Sequence, residues 1–293
     1  NREKREDNGA NGAVLVPQPN GIQPDGTASV PATPKPNGKA KAPSELAYNK
    51  AVKYLTERYK FRSNILTKET EFQGIEGQWE EISPTKFDTF YHDIKQANIN
   101  IKSEELNRML RNEKIAPCYD PIMEYFNSLP KWNGQENILG FFAQIQLAKE
   151  EDSEQDFDLF RRWFVFLVAQ ATMRAQRPND AVLILCGTGG TGKSTFFRKL
   201  IPEALQKYYA PDFGDLHDKD SRRKLGSSML IVFDELSALI GKNADKEAFK
   251  SVTQMPKVQI RLPYDKNTTT MIRRASFGGT VDKWQFASDD NTR

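Results

Sequence analysis

Cysteine is nearly missing: Cys118 and Cys186 are the two in 293 residues. Neither forms a CxxC pair or stands beside histidine at metal-ligand spacing, so no disulfide framework or zinc site is implied. Long apolar runs are missing as well. No stretch approaches the ~20 residues that span a bilayer, and no charged segment leads into an apolar one as in an export signal. Excess charge of one sign is absent too, since 42 basic and 39 acidic residues leave a net charge of +3. Such a balance does not by itself argue for nucleic acid, which needs locally concentrated positive charge. Together these absences predict a cytoplasmic chain with no membrane partner. Residues 1–45 contain no aromatic side chain, are rich in Pro, Gly, Asn and Ala, and open on a charged run. That composition cannot bury enough surface to offset ordering entropy, so a disordered linker is expected. The chain starts at Asn1 and stops at Arg293 inside a polar segment, as expected of a piece of a longer product.

What is present suffices for a substantial core: 38% of residues are hydrophobic, with 18 Phe, 9 Tyr and 4 Trp. Leu46, Val52, Leu55 and Tyr59 recur at helical spacing. Phe61 to Thr67 and Glu69 to Gln73 read as short strands, and Trp79 restarts a strand after a glycine turn. Ser83-Pro84 supplies an N-cap and a first-turn proline for a helix whose apolar face is Phe87, Phe90, Tyr91 and Ile94. A further helix from Ser103 carries Leu106, Met109 and Leu110. Residues 46–133 are thus expected to form a small α+β module of winged-helix size, either a packing collar or a DNA reader. A short helix from Pro121 ends in a Pro-Gly turn by Gly134. Residues 134–293 are expected to form an α/β domain on a parallel sheet, against which an amphipathic helix over Phe157–Met173 packs.

The chemistry is concentrated in that second domain. Ala181 to Cys186 is a continuous apolar run of the kind found in a parallel strand buried on both faces. It is followed by Gly187, Thr188, Gly189, Gly190, Thr191, Gly192, Lys193, Ser194 and Thr195, which then continue into a helix. Glycines let backbone amides curl around phosphate oxygens, Lys193 reaches the β and γ phosphates, and Ser194 is a ligand for Mg²⁺. The positive helix N-terminus faces the same anion. About 40 residues on, Ser228 to Glu235 repeats the buried-strand pattern and ends in two carboxylates. Asp234 is expected to hold the Mg²⁺ shell, and Glu235 to polarise the water that attacks the γ phosphate. An Asp-Glu pair favours hydrolysis over phosphoryl transfer to a second substrate. The sequence therefore predicts an ATP- and Mg²⁺-dependent P-loop hydrolase.

Downstream, Val258 to Tyr264 and Thr268 to Arg274 flank a turn that puts Lys266 at a hairpin tip. The strand from Ala275 ends at Asp282, the candidate sensor of the γ phosphate, with Thr280 as the alternative. Arg273 and Arg274 fit either trans-acting arginine fingers or surface and ion-pair arginines, and Arg261 is a further candidate of the first kind. Lys219, Arg222, Arg223 and Lys224 read as a solvated helix face rather than a DNA track.

With these residues in place the chain resembles the virulence-associated protein E family, P-loop ATPases similar to superfamily 3 helicases and the AAA+ class. The resemblance runs from about Tyr59 to the end. It rests on Arg62-Ser-Asn-Ile-Leu, Tyr125 to Gly134, the glycine loop, Phe233-Asp-Glu235, Arg261 to Tyr264 and Arg273 to Phe277. It implies a helicase in phage or mobile-element replication, in a bacterial or phage-infected cell, working as a homo-oligomeric, hexameric ring on single-stranded DNA gripped by Lys266. A linked primase domain is also implied, which suits residues 1–45 as an interdomain linker. Two departures stand out: the family usually has a sensor Asn where this chain has Asp282, and the arginine-bearing segment that should follow breaks off at Arg293. A P-loop switch in assembly or defence signalling, without unwinding, is the alternative.

Overall fold

The computed structural model of the chain describes residues 43–135, 137–145, 153–239, 243–261 and 268–283. In chain order the N-terminal part holds α1 (Pro43–Thr56), β1 (Tyr59–Asn64), β2 (Thr70–Gly74), β3 (Glu80–Glu81), α2 (Pro84–Gln96), α3 (Ser103–Leu110), β4 (Cys118–Tyr119) and α4 (Pro121–Ser128). The remainder holds α5 (Ile138–Phe142), α6 (Ser153–Ala171), β5 (Val182–Cys186), α7 (Lys193–Leu200), β6 (Tyr209–Ala210), α8 (Lys224–Ser227), β7 (Leu230–Phe233), α9 (Leu236–Leu239), α10 (Asn243–Gln254), β8 (Lys257–Arg261), β9 (Thr268–Ile272) and β10 (Ser276–Val281). Short 3₁₀ turns cover Glu203–Tyr208 and Ser221–Arg223. The first helix thus starts at Pro43, slightly ahead of the order expected from Leu46.

The N-terminal strands form a sheet in the order β3-β2-β1-β4, antiparallel except for the β1–β4 pair. Ser83 caps α2 by accepting from the Lys86 amide at 3.2 Å, with Pro84 in the first turn, because a side-chain oxygen there satisfies an amide that has no helical partner. Phe90 and Ile94 of α2 and Leu106 and Met109 of α3 bury completely. They meet Leu55, Phe61 and Phe72 in a core of their own.

The second sheet runs β5-β10-β7-β6 and is parallel throughout. Alternation along β7 sends Leu230 and Val232 into one apolar cluster and Ile231 and Phe233 into the other, so hydrophobic cores lie on both faces of the sheet. On the first face sits α6, whose Phe160, Trp163, Leu167 and Ala171 share one stripe. The Trp163 indole donates to the Phe277 carbonyl at 3.0 Å, which gives a buried N–H the partner it requires. The β8–β9 hairpin pairs antiparallel from Lys257↔Ile272 to Arg261↔Thr268, and Val258, Ile260 and Met271 cover the second face.

β10 lies between β5 and β7. Chain order alone does not reveal this. Its consequence is that the end of β10 lies between the glycine loop after β5 and the carboxylates after β7.

Candidate nucleotide site

The glycine loop closes the carboxyl end of β5, where parallel α/β sheets open their ligand crevice. The Gly187 amide donates to the Val281 carbonyl at 3.0 Å, anchoring the loop's first residue to β10. Gly190 and Gly192 adopt φ of +83° and +88°, backbone that a side chain would strain. Within the loop, the Thr191 hydroxyl donates to the Thr188 carbonyl at 2.9 Å. The helix α7 then starts at Lys193, and the Phe196 amide donates to the Gly192 carbonyl at 2.8 Å. Gly189 and Thr195 lie on the same loop and first turn.

Two residues forty positions apart meet beside it: the Ser194 hydroxyl donates to Asp234 Oδ1 at 3.2 Å. The Thr280 hydroxyl donates to the same oxygen at 2.5 Å and accepts from the Glu235 amide at 3.1 Å. One threonine at the end of β10 therefore fixes the carboxylate of Asp234 and the backbone of Glu235 together. Glu235 has φ of +50°, unusual for a residue with a Cβ and costing roughly 1 kcal/mol or more. Its side chain is exposed at the turn into α9. Burial, and then the charge of Asp234, push the Tyr209 phenol above its usual range. Tyr209 carried no signal in the sequence; a strand of two residues brings it beside β7.

Lys193 folds back over its own loop. Its ammonium donates to the Gly187 carbonyl, to the Thr188 carbonyl at 3.1 Å and to Asp282 Oδ1 at 3.3 Å. Asp282 follows the last residue of β10 and is 65% exposed, against 12% for Lys193. Ser194 and Asp234 offer a hydroxyl and a carboxylate, the hard oxygen donors that Mg²⁺ takes.

The two finger candidates are both enclosed by protein. Arg273 is 0% exposed and donates to the carbonyls of Ala275, Thr253 and Asn179. Its guanidinium also stacks 4.5 Å from the Phe277 ring centroid. Burial pushes it down to about 10, which leaves it charged at neutral pH. Arg274 is also buried, donating to the Ala171 carbonyl at 2.7 Å and to Asp120 Oδ2 at 2.6 Å. Burial and these partners speak against the finger role for both; Arg274 matches the ion-pair alternative through Asp120, and Arg273 is enclosed in the core instead of at the surface. The sequence signal missed was Asp120, which also caps α4 by accepting from the Ile122 and Met123 amides. Of the basic tract, Lys219 is exposed while Arg222, Arg223 and Lys224 are half-buried: Arg223 donates to the Thr67 carbonyl and Lys224 to Asp212. Lys266 lies outside the described residues, as does Arg293; Arg261 ends β8, its side chain outside them.

A family model described as the virulence-associated protein E-like domain matches residues 126–293. That is more than half of the chain. The chain belongs to this family. The matched span of the virulence-associated protein E-like domain holds the glycine loop, Asp234, Glu235, Thr280 and Asp282. No curated protein matches the sequence. Among solved structures, the A form apo structure of the NrS-1 C-terminal region is 13% identical with a TM-score of 0.46, covering 81% of this chain and 56% of that one. An apo structure of the same region, residues 305–718, is 14% identical with a TM-score of 0.47, covering 83% and 58%. The chain thus spans less than two thirds of either. Among the described residues no helix is long and apolar enough to cross a membrane.

Proposed function

We propose that this chain is an ATP hydrolase with a P-loop core of the AAA+ or superfamily 3 kind, dependent on Mg²⁺. The observation that carries the proposal is the hydrogen bond from Ser194 to Asp234 at 3.2 Å. It joins a hydroxyl at a helix N-terminus behind a glycine loop to a carboxylate at the end of a parallel strand. In this reading the loop amides and Lys193 hold the phosphates. Ser194 and Asp234 hold Mg²⁺, which supplies charge neutralisation to the phosphate oxygens when bound. Glu235 polarises the attacking water, with its backbone oriented by Thr280.

From the family we further infer that the hydrolase drives a helicase on single-stranded DNA in phage or mobile-element replication, as a homo-oligomeric ring linked to a primase domain. Arg273 and Arg274 contribute to that machine through the core and not as fingers. The test is ATP turnover by the chain extended past Arg293, with and without single-stranded DNA, together with strand displacement on a forked duplex. DNA-stimulated turnover with displacement is expected. Turnover that ignores DNA, with no displacement, would instead leave a P-loop switch in assembly or defence signalling.

A further inference from the structure

Lys193 is the cation on which the proposed phosphate site depends, and it already has an anion. Asp282 Oδ1 lies 3.3 Å from its ammonium. An atom at that distance occupies the shell a terminal phosphate oxygen would enter. Position is fixed by the sheet: Val281 pairs with Cys186, the residue before the loop, and accepts from the Gly187 amide at 3.0 Å. Asp282 follows directly, so its backbone is tied to the loop whatever its side chain does.

We propose that Asp282 sets which nucleotide the site accepts, as an internal counter-charge that a triphosphate must displace and a diphosphate need not. This rests on the nucleotide reading above. The carboxylate has two effects of the same sign. It occupies Lys193, whose other acceptors among the described residues are the Gly187 and Thr188 carbonyls, and it repels negative charge at the γ position. Asp234 and Glu235 add carboxylates on the other side of the same crevice, joined to it through Thr280. A free triphosphate brings several negative charges toward three carboxylates and one lysine. Partial neutralisation by Mg²⁺ lowers that repulsion, whereas a diphosphate brings no charge to the γ position. The resting site therefore favours a nucleoside diphosphate over metal-free triphosphate and admits the triphosphate as its Mg²⁺ complex. The neutral, isosteric amide removes the charge while keeping an oxygen that accepts from Lys193.

The test is equilibrium binding of ADP and of a non-hydrolysable ATP analogue, each with and without Mg²⁺, to the complete chain and to Asp282→Asn, Asp282→Ala and Lys193→Ala. Asp282→Asn is expected to tighten triphosphate binding about 3- to 30-fold, most strongly without Mg²⁺, while ADP changes by less than about twofold. Asp282→Ala should shift the same ratio in the same direction. An unchanged triphosphate-to-diphosphate ratio in Asp282→Asn overturns the proposal, and so does weaker triphosphate binding, which would make Asp282 a ligand-holding residue. In either case loss of both ligands in Lys193→Ala leaves the nucleotide site itself standing. Full binding by Lys193→Ala, or none by any form, removes that site and the role of Asp282 with it.

Discussion

At the scale of single residues, the site divides labour between groups whose roles a motif suggests and Thr280, which the sequence offered only as an alternative sensor. Lys193, Ser194, Asp234 and Glu235 announce themselves by motif, but Thr280 is what holds the two carboxylate positions together. Thr280→Val keeps the shape and removes both hydrogen bonds. If the proposed function holds, turnover falls about tenfold or more with nucleotide binding largely retained, the size of loss seen when a hydrogen-bond partner of a metal ligand is removed; steady-state hydrolysis beside nucleotide titration checks it. Arg273 predicts a different failure. Arg273→Leu leaves the carbonyls of Ala275, Thr253 and Asn179 without their donor in a buried setting, at about 3 kcal/mol or more. Urea unfolding should show that loss; a change under 1 kcal/mol would mean that water replaces the donor. Glu71 adds a pH dependence. Burial pushes its carboxyl up, but hydrogen bonds from Tyr119 and Arg62 and the charges of Arg62 and Lys207 outweigh this and hold it below the ordinary glutamate range. A depressed folded value means that its contribution is present above the unfolded value and lost as pH falls through the folded one. Thermal melts of wild type should therefore drop more steeply than those of Glu71→Gln as pH falls below the ordinary glutamate range, because the glutamine has no carboxyl to protonate there.

At the scale of elements, strand, loop and helix were legible because their signals are local. Val182–Cys186 is a continuous apolar run, glycine punctuates its end, and Ser83 and Pro84 mark a helix start. Strand order was not legible. That β10 inserts between β5 and β7 follows from packing on both sheet faces, and no periodicity in Ser276–Val281 encodes which neighbours it takes. The fate of Arg273 and Arg274 was hidden for the same reason: the segment between β9 and β10 enters the core, so a pair that looks like surface charge becomes buried hydrogen-bond donors. One close contact shows how tightly β10 is held. A Cβ at Gly278 would stand 2.5 Å from the Phe197 ring of α7. Gly278→Ala must displace that buried ring, which sits on the helix carrying Lys193, at roughly 1–3 kcal/mol. A lowered melting temperature together with weakened nucleotide binding is the expected result, and an unaltered melt would show that α7 moves freely.

At the scale of the whole molecule, the N-terminal sheet and the parallel sheet are joined by polar contacts rather than by a bare linker. Asn64 donates to the Tyr208 hydroxyl at 2.8 Å, Arg223 to the Thr67 carbonyl, and Arg274 to Asp120. Apolar packing crosses the same boundary, since Leu66 and Ile122 belong to the cluster around Trp163 and Phe197. α4, which precedes Gly134, packs Ile122, Tyr125 and Phe126 onto that cluster. β10 is held at both ends: Arg274, just ahead of it, bonds to Asp120, and Val281 at its end accepts from the Gly187 amide. The central claim is that this arrangement hydrolyses ATP, and phosphate release from Mg²⁺-ATP by wild type, Glu235→Gln and Lys193→Ala tests it most directly. The account predicts turnover by wild type, a fall of about 10²-fold or more in Glu235→Gln with nucleotide still bound, and no binding by Lys193→Ala; turnover in Lys193→Ala equal to wild type would contradict it.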